Sequence, residues 1–306
     1  MDSWRRNPLV FWAVNLPPSV WLVAFFLAPL TVVWLLSFGE KRGLVEIAIT
    51  GTLDNYARAL DPLYLQIFAK SLAMAGATTL ICLIVGFPVA FAISFAPGRW
   101  KPLLLLLVIL PFWTNLLIRT YALIAVLRTR GYVNFTLEWF WDLGNRGLEL
   151  IGLGQLHLLG ARFEPLVLLY NNMAVVIGLV YVHLPFTVLP LYAALDRMDR
   201  SYIEASLDLG AGQARTFASV VVPLAKAGII SAVIITFIPA LGSFLTPDLL
   251  GGTDSQMIAN VIERQFKTAN DWPFGAALSF ILLYATFFAL ALRSLSARGS
   301  SAMDAA

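Results

Sequence analysis

The chain has 306 residues, of which 59% are hydrophobic and 13% charged. A soluble domain carries about 25% charge, so the solvent for this chain is lipid. A net charge of +3 with no Lys/Arg-rich run leaves nothing to track a phosphate backbone, which argues against nucleic acid as a partner. Cys82 is the only cysteine, which excludes an intrachain disulfide and a cysteine-based zinc site.

In chain order, the basic start (Arg5, Arg6) precedes an apolar stretch from about Pro18 to Phe38. It is longer than a signal-peptide core and lacks a small-x-small cleavage site, so a retained first helix is expected. A spanning helix needs about 20 mostly apolar residues. Six segments qualify, at about 18–38, 69–95, 102–126, 166–192, 222–247 and 273–294. No period-2 alternation of the barrel kind is present. The expected fold is therefore all-α and integral to the membrane, with six spans.

Pro88, Pro111, Pro185, Pro190, Pro239 and Gly242 interrupt the spans. Such breaks are tolerated in membranes where neighbouring groups re-satisfy the backbone, either as packing kinks or beside a cavity. Cys82 and His183 read as packing residues, and His157 and His183 lack the spacing of a metal pair. Arg119 lies inside the third span, where pairing with an acid or snorkelling to the interface is expected. The 127–165 connection carries Trp139, Phe140 and Trp141, then Leu148, Leu150 and Ile151, the pattern of an amphipathic interfacial helix.

Six spans put both termini on one side. Lys and Arg divide 10 to 11 between the sides, but Arg5, Arg6, Arg99, Lys101, Arg197, Arg200, Arg293 and Arg298 lie close to span ends on the terminal side. The positive-inside rule then places both termini in the cytoplasm.

Between the fourth and fifth spans lies a polar island. Ser201-Tyr202-Ile203-Glu204 fits a capping box, and Gly210 suits a left-handed helix end. A two-turn helix over about 202–209 follows, roughly 12 Å long. A second helical run is expected from Gln213 to Pro223. A short rigid helix projecting between spans suits insertion into a cleft of another protein.

The spacing Glu204-Ala205-Ser206, Gly210, then Val220-x-Val222-Pro223 resembles the Glu-Ala-Ala signature of permease subunits of ATP-binding-cassette importers. Ser206 stands where the signature has Ala, and valines replace Ile and Leu. Leu110-Pro111-Phe112-Trp113-Thr114-Asn115 with Arg119-Thr120-Tyr121, and Pro247-Asp248-Leu249-Leu250-Gly251-Gly252, resemble the spermidine/putrescine permeases, in their first-permease branch. The resemblance spans about 67–293.

It implies the type I importer fold, with a transmembrane domain over 67–293 between an N-terminal region (1–66) and a tail (294–306). The coupling segment would be about 199–223, with Glu204, Ala205, Ser206, Asp208, Leu209 and Gly210 docking on an ATPase. The implied partners are a second permease, an ATPase dimer and an external substrate-binding protein, all at the bacterial inner membrane. The chain has no phosphate-binding loop. No cofactor is expected in it, ATP and magnesium being bound by the ATPase.

Moving a polyamine needs aromatic faces for cation–π contact and oxygens to replace water. Trp113, Asn115, Tyr121, Tyr181 and Phe186 near the kinks are the candidates, with Asp248, Asp254 and Glu263 as an acidic entrance. Two alternatives stay open from the sequence: the same machinery with another substrate (ferric iron, thiamine or an anion), or a stand-alone transporter or membrane enzyme.

Overall fold

A computed structural model of the chain describes residues 8–43, 46–150 and 163–303. Arg5, Arg6, Ile151, His157 and the side chains of Leu148, Leu150, Arg293 and Arg298 lie outside the described residues. The chain divides into two compact units, one formed by residues up to Gln66 together with those from Val261 onward, the other by Ile67–Asn260.

In the first unit, α1 (Pro8–Leu22) passes through a π turn (Val23–Leu27) into α2 (Ala28–Leu36). The helix begins ten residues before the expected Pro18, with Pro17 and Pro18 inside α1. Val10–Leu36 carries no charged residue and is long and apolar enough to cross a membrane.

The following connection is not all loop. β1 (Gly39–Arg42) and β2 (Glu46–Ile49) pair antiparallel, with Gly39 opposite Ile49. This hairpin is an addition to the otherwise helical fold. The short α3 (Asp54–Ala59) follows, and the last helix, α15 (Trp272–Met303), packs against it and against α2. The Arg58 guanidinium ties them, donating to Asp271 Oδ2 at 2.8 Å while lying 3.9 Å from the Phe274 ring centroid. Trp34 Nε1 donates to the Tyr284 hydroxyl at 2.8 Å.

The second unit carries most of the core. Its elements are the main length of α4 (Pro62–Phe95), then α5 (Lys101–Ile109), α6 (Leu116–Leu127), α7 (Tyr132–Leu150) and α8 (Asn172–Asp196). After these come α9 (Ser201–Asp208), α10 (Gln213–Thr216), a π turn (Phe217–Val221), α11 (Val222–Leu224), α12 (Lys226–Leu241) and α13 (Leu245–Leu250). The unit closes on the first residues of α14 (Ile258–Lys267).

Phe87, Ala90 and Ile93 of α4, Val188, Leu191 and Leu195 of α8, and Val221, Ala225 and Ala232 form one buried cluster. Small residues let the backbones approach where lipid supplies no hydrophobic drive between helices. At Gly228 a Cβ would stand 2.4 Å from Ala194 Cβ and 3.0 Å from the Pro190 carbonyl oxygen, so α12 rests directly on α8. The same pair shares a buried hydrogen bond between the Thr187 and Thr236 hydroxyls, 2.7 Å apart.

By length and composition, Val10–Leu36, Pro62–Phe95 and Asn172–Asp196 can each cross a membrane unbroken. Two more spans arise only as bent pairs: Lys101–Trp113 with Leu116–Gly147, bent by 94°, and Gln213–Leu224 with Lys226–Leu241, bent by 68°. Trp272–Phe288 is a shorter apolar helix. The sequence expects six spans with kinks or breaks at proline and glycine, and three departures from their expected course have local causes. Pro111 sits in a 3-10 turn (Leu110–Trp113), after which Thr114 and Asn115 are extended and Asn115 caps α6. The break near Ala225 follows Pro223, which has no N–H to donate. The fourth helix starts at Asn172 rather than 166, because Asn171 accepts from the Ala174 N–H and fixes the start.

Pro88, Pro185, Pro190 and Pro239 stay inside continuous helices, and Gly242 terminates α12. Of the interruptions foreseen, Pro111 and Gly242 coincide with breaks in the helices.

Candidate functional site

The polar island folds as a helix, a tight reversal and a second helical run. α9 covers Ser201–Asp208, one residue earlier than expected at each end. Its start differs from a capping box. Ser201 is already helical, and the cap position is Arg200, whose side chain makes no cap bond. The Ser201 N–H is taken instead by Asp199 Oδ1 at 3.0 Å. That bond from the Ser201 backbone, with a further one from its side chain, holds the Asp199 carboxyl below the usual carboxylate range.

The other end forms a Schellman motif. The Gly210 N–H donates to Leu207 O at 2.9 Å and the Ala211 N–H to Ser206 O at 3.1 Å. Gly210 has φ +82, and a Cβ there would meet nothing within 4 Å. Its requirement is therefore conformational rather than steric. The turn leaves Leu209 89% exposed, an apolar side chain held outward at the tip, while Glu204, Ala205 and Asp208 also face outward. Ser206 is half-buried, and its hydroxyl lies 2.9 Å from the buried Thr216 hydroxyl, joining α9 to α10. Ser206, the departure from Ala in the signature, thus supplies a link that alanine lacks.

Between α9 and the π turn lies a groove of about 540 Å³, lined among others by Phe91, Ile203, Leu207, Thr216, Phe217 and Val221. Two charged contacts flank the root of α9. Lys101 Nζ and Asp196 Oδ1 are 2.5 Å apart, and Arg200 Cζ lies 4.8 Å from the Phe95 ring centroid. The sequence marks Lys101 and Arg200 for topology alone, as cations near span ends, and not their partners Asp196 and Phe95.

The pathway candidates are more scattered. Trp113 ends the 3-10 turn and is 76% exposed, and Tyr121 and Tyr181 are exposed. Asn115 Oδ1 already accepts from the Leu117 N–H at 2.8 Å, which commits it to the start of α6. Phe186 packs edge-on against Phe112, with centroids 4.5 Å apart. Asp248 sits in the first turn of α13, and Asp254 in a 3-10 turn (Thr253–Ser255) where its carbonyl oxygen accepts from Lys70 Nζ. Glu263 is engaged by Lys267 at 2.8 Å, one turn on in the same helix.

Arg119 corrects its expectation. It neither snorkels nor pairs with an acid among the described residues. It is 9% exposed, its Nε and Nη1 are buried without a hydrogen-bond partner, and its Cζ lies 5.7 Å from the Phe112 ring centroid. His183 and Cys82 are packed as expected, His183 Nδ1 lying 2.8 Å from Leu179 O and Cys82 being buried. Asn134, unremarked in the sequence, is buried and exchanges two hydrogen bonds with the Leu166 backbone, fastening α7 to the segment before α8.

Known proteins resemble the chain over nearly its full length. Residues 8–299 match the family described as "Binding-protein-dependent transport system inner membrane component". The spermidine/putrescine transport system permease protein PotB of Escherichia coli (strain K12) is 41% identical over 262 residues, covering 86% of this chain and 88% of that protein. The inner membrane ABC transporter permease protein YdcU of the same organism is 30% identical over 296 residues, covering 95% and 91%.

Among solved structures, a bacterial ABC transporter that imports the acidic polysaccharide alginate aligns with a TM-score of 0.66. It covers 95% of this chain and 96% of that one at 15% identity, a likeness of fold alone. Permease subunits of this kind are non-catalytic, multi-pass components of the inner membrane. The chain belongs to the binding-protein-dependent inner-membrane permeases of ABC importers, in their spermidine/putrescine (PotB-like) family.

Proposed function

We propose that the chain imports polyamines across the inner membrane as one half of a permease pair, by alternating access driven by ATP hydrolysis on a separate ATPase dimer. The observation that carries the substrate is the 41% identity over 86% of the chain to a protein named for spermidine/putrescine transport. In this reading the two bent pairs and the helix beginning at Trp272 complete six spans, with both termini cytoplasmic. The transmembrane domain runs over 67–293, between an N-terminal region (1–66) and a tail (294–306). An external binding protein delivers the substrate.

α9 is the coupling helix, and Glu204, Ala205, Ser206, Asp208, Leu209 and Gly210 are its docking residues. Its fixed ends and the outward Leu209 support that role, since a rigid projection transmits a push better than a flexible loop. For the pathway, Trp113, Tyr121 and Tyr181 offer exposed faces to ammonium groups, each worth about 0.5–2 kcal/mol. Asp248 and Asp254 add acidic character at the entrance. Phe186, held by Phe112, shapes the wall, and Asn115 fixes the bend that turns Trp113 outward.

The test is uptake of labelled spermidine by the reconstituted transporter with its binding protein. Excess unlabelled putrescine or spermidine should suppress it. Uptake of an anion or ferric iron under the same conditions, with no competition by polyamines, would overturn the substrate.

A further inference from the structure

The π turn after α10 and the residue before α9 grip the same stripe of another helix. Phe87, Phe91 and Phe95 recur at every fourth position of α4 and so lie along one face. At the entry to α9, Arg200 sets its guanidinium over Phe95, Cζ to centroid 4.8 Å, and Nη2 donates to Ser94 O at 3.4 Å. At the exit, Phe217 stands edge-on to Phe87 at 5.3 Å and to Phe91 at 6.2 Å between centroids. Phe91 and Phe95 complete the chain at 4.5 Å. The Ser206–Thr216 hydrogen bond then joins the two limbs across the reversal.

A displacement of α9 therefore has two routes out, and both end on the last turns of α4. Coupling between distant sites travels through packed side chains of this kind when a two-state element lies at one end.

We infer that Arg200 and the Phe87–Phe91–Phe95 stripe are the positioning residues that pass movement of α9 into α4. The inference rests on reading α9 as the coupling helix. Arg200 touches neither substrate nor nucleotide in this account; it acts through α9.

The test uses the complete reconstituted transporter and measures spermidine uptake and ATP hydrolysis in the same vesicles. Arg200→Gln and Phe95→Leu each remove the cation–ring contact while keeping comparable volume. Each should lower the spermidine carried per ATP hydrolysed about fivefold, the factor a single cation–π contact supplies. The ATPase should still co-purify as in the unsubstituted protein. Phe95→Trp, which keeps a ring face for Arg200, should restore the ratio.

An unchanged ratio in both Arg200→Gln and Phe95→Leu would overturn the inference. So would loss of ATPase co-purification in step with transport, because the residues would then serve docking rather than transmission. Gly210→Pro separates the underlying reading: if that variant keeps both assembly and transport, the coupling role of α9 fails, and this inference with it.

Discussion

Arg119 and Gly210 show how one residue can be demanding for opposite reasons. Arg119 is buried with two guanidinium nitrogens unpartnered, a costly condition for a charge away from water. The Phe112 ring faces it, and that contact recovers part of the cost. Replacing it with methionine keeps length and removes the charge. Arg119→Met should raise the stability of the purified permease by about 1 kcal/mol or more. A thermal melt in detergent with its subunits assembled reads this directly, and a marked fall in Tm would reveal an acceptor in the assembled transporter. Gly210 meets nothing, yet its φ of +82 makes any side chain expensive. Gly210→Ala should cost about 1–2 kcal/mol of α9 stability, with Gly210→Asn milder. Faster amide exchange at Leu209, Gly210 and Ala211 in the alanine variant would register it.

At the scale of elements, α8 and α12 are joined by contact too close for any side chain at Gly228. Gly228→Ala should destabilise by about 1–3 kcal/mol through overpacking. Because the nearest atom is Ala194 Cβ at 2.4 Å, adding Ala194→Gly should recover part of the loss. No recovery would mean that the Pro190 carbonyl, not Ala194, sets the spacing.

The helices themselves were largely legible from sequence, since apolar length is a strong signal: α4 ends where expected and α9 lies within one residue of its expected bounds, while the starts of α4 and α8 fall elsewhere. What escaped were features decided by a single backbone bond or by distant packing. Asn115 and Asn171 each fix a helix start through a side-chain oxygen, and that choice depends on the local turn. Asp199 displaced Ser201 as the group accepting at the start of α9, because both residue types suit the role and only geometry decides. The hairpin of β1 and β2 is only four residues a strand, too short for an alternation to announce it. The grip of Arg200 on Phe95 joins positions 105 apart in the chain, beyond the reach of any local pattern.

At the scale of the whole molecule, the chain is a non-catalytic permease subunit, and the proposed account makes it a conduit driven by a separate ATPase. The residues proposed for docking stood out because their spacing is rigid: a short helix, a left-handed glycine and a second helical run leave little freedom. The pathway residues were less legible, since an aromatic side chain in a membrane protein packs, anchors or lines a passage with the same composition. Trp113 and Tyr121, on either side of the 94° bend after Pro111, are exposed, whereas Phe186 packs on Phe112. The central claim, that α9 receives the work of ATP hydrolysis, is tested most directly by ATP-dependent spermidine uptake into proteoliposomes carrying the full transporter. Gly210→Pro removes the N–H bonded to Leu207 and forbids φ +82, so uptake should fall to the level seen without ATP. Uptake equal to that of the unsubstituted transporter would contradict the account.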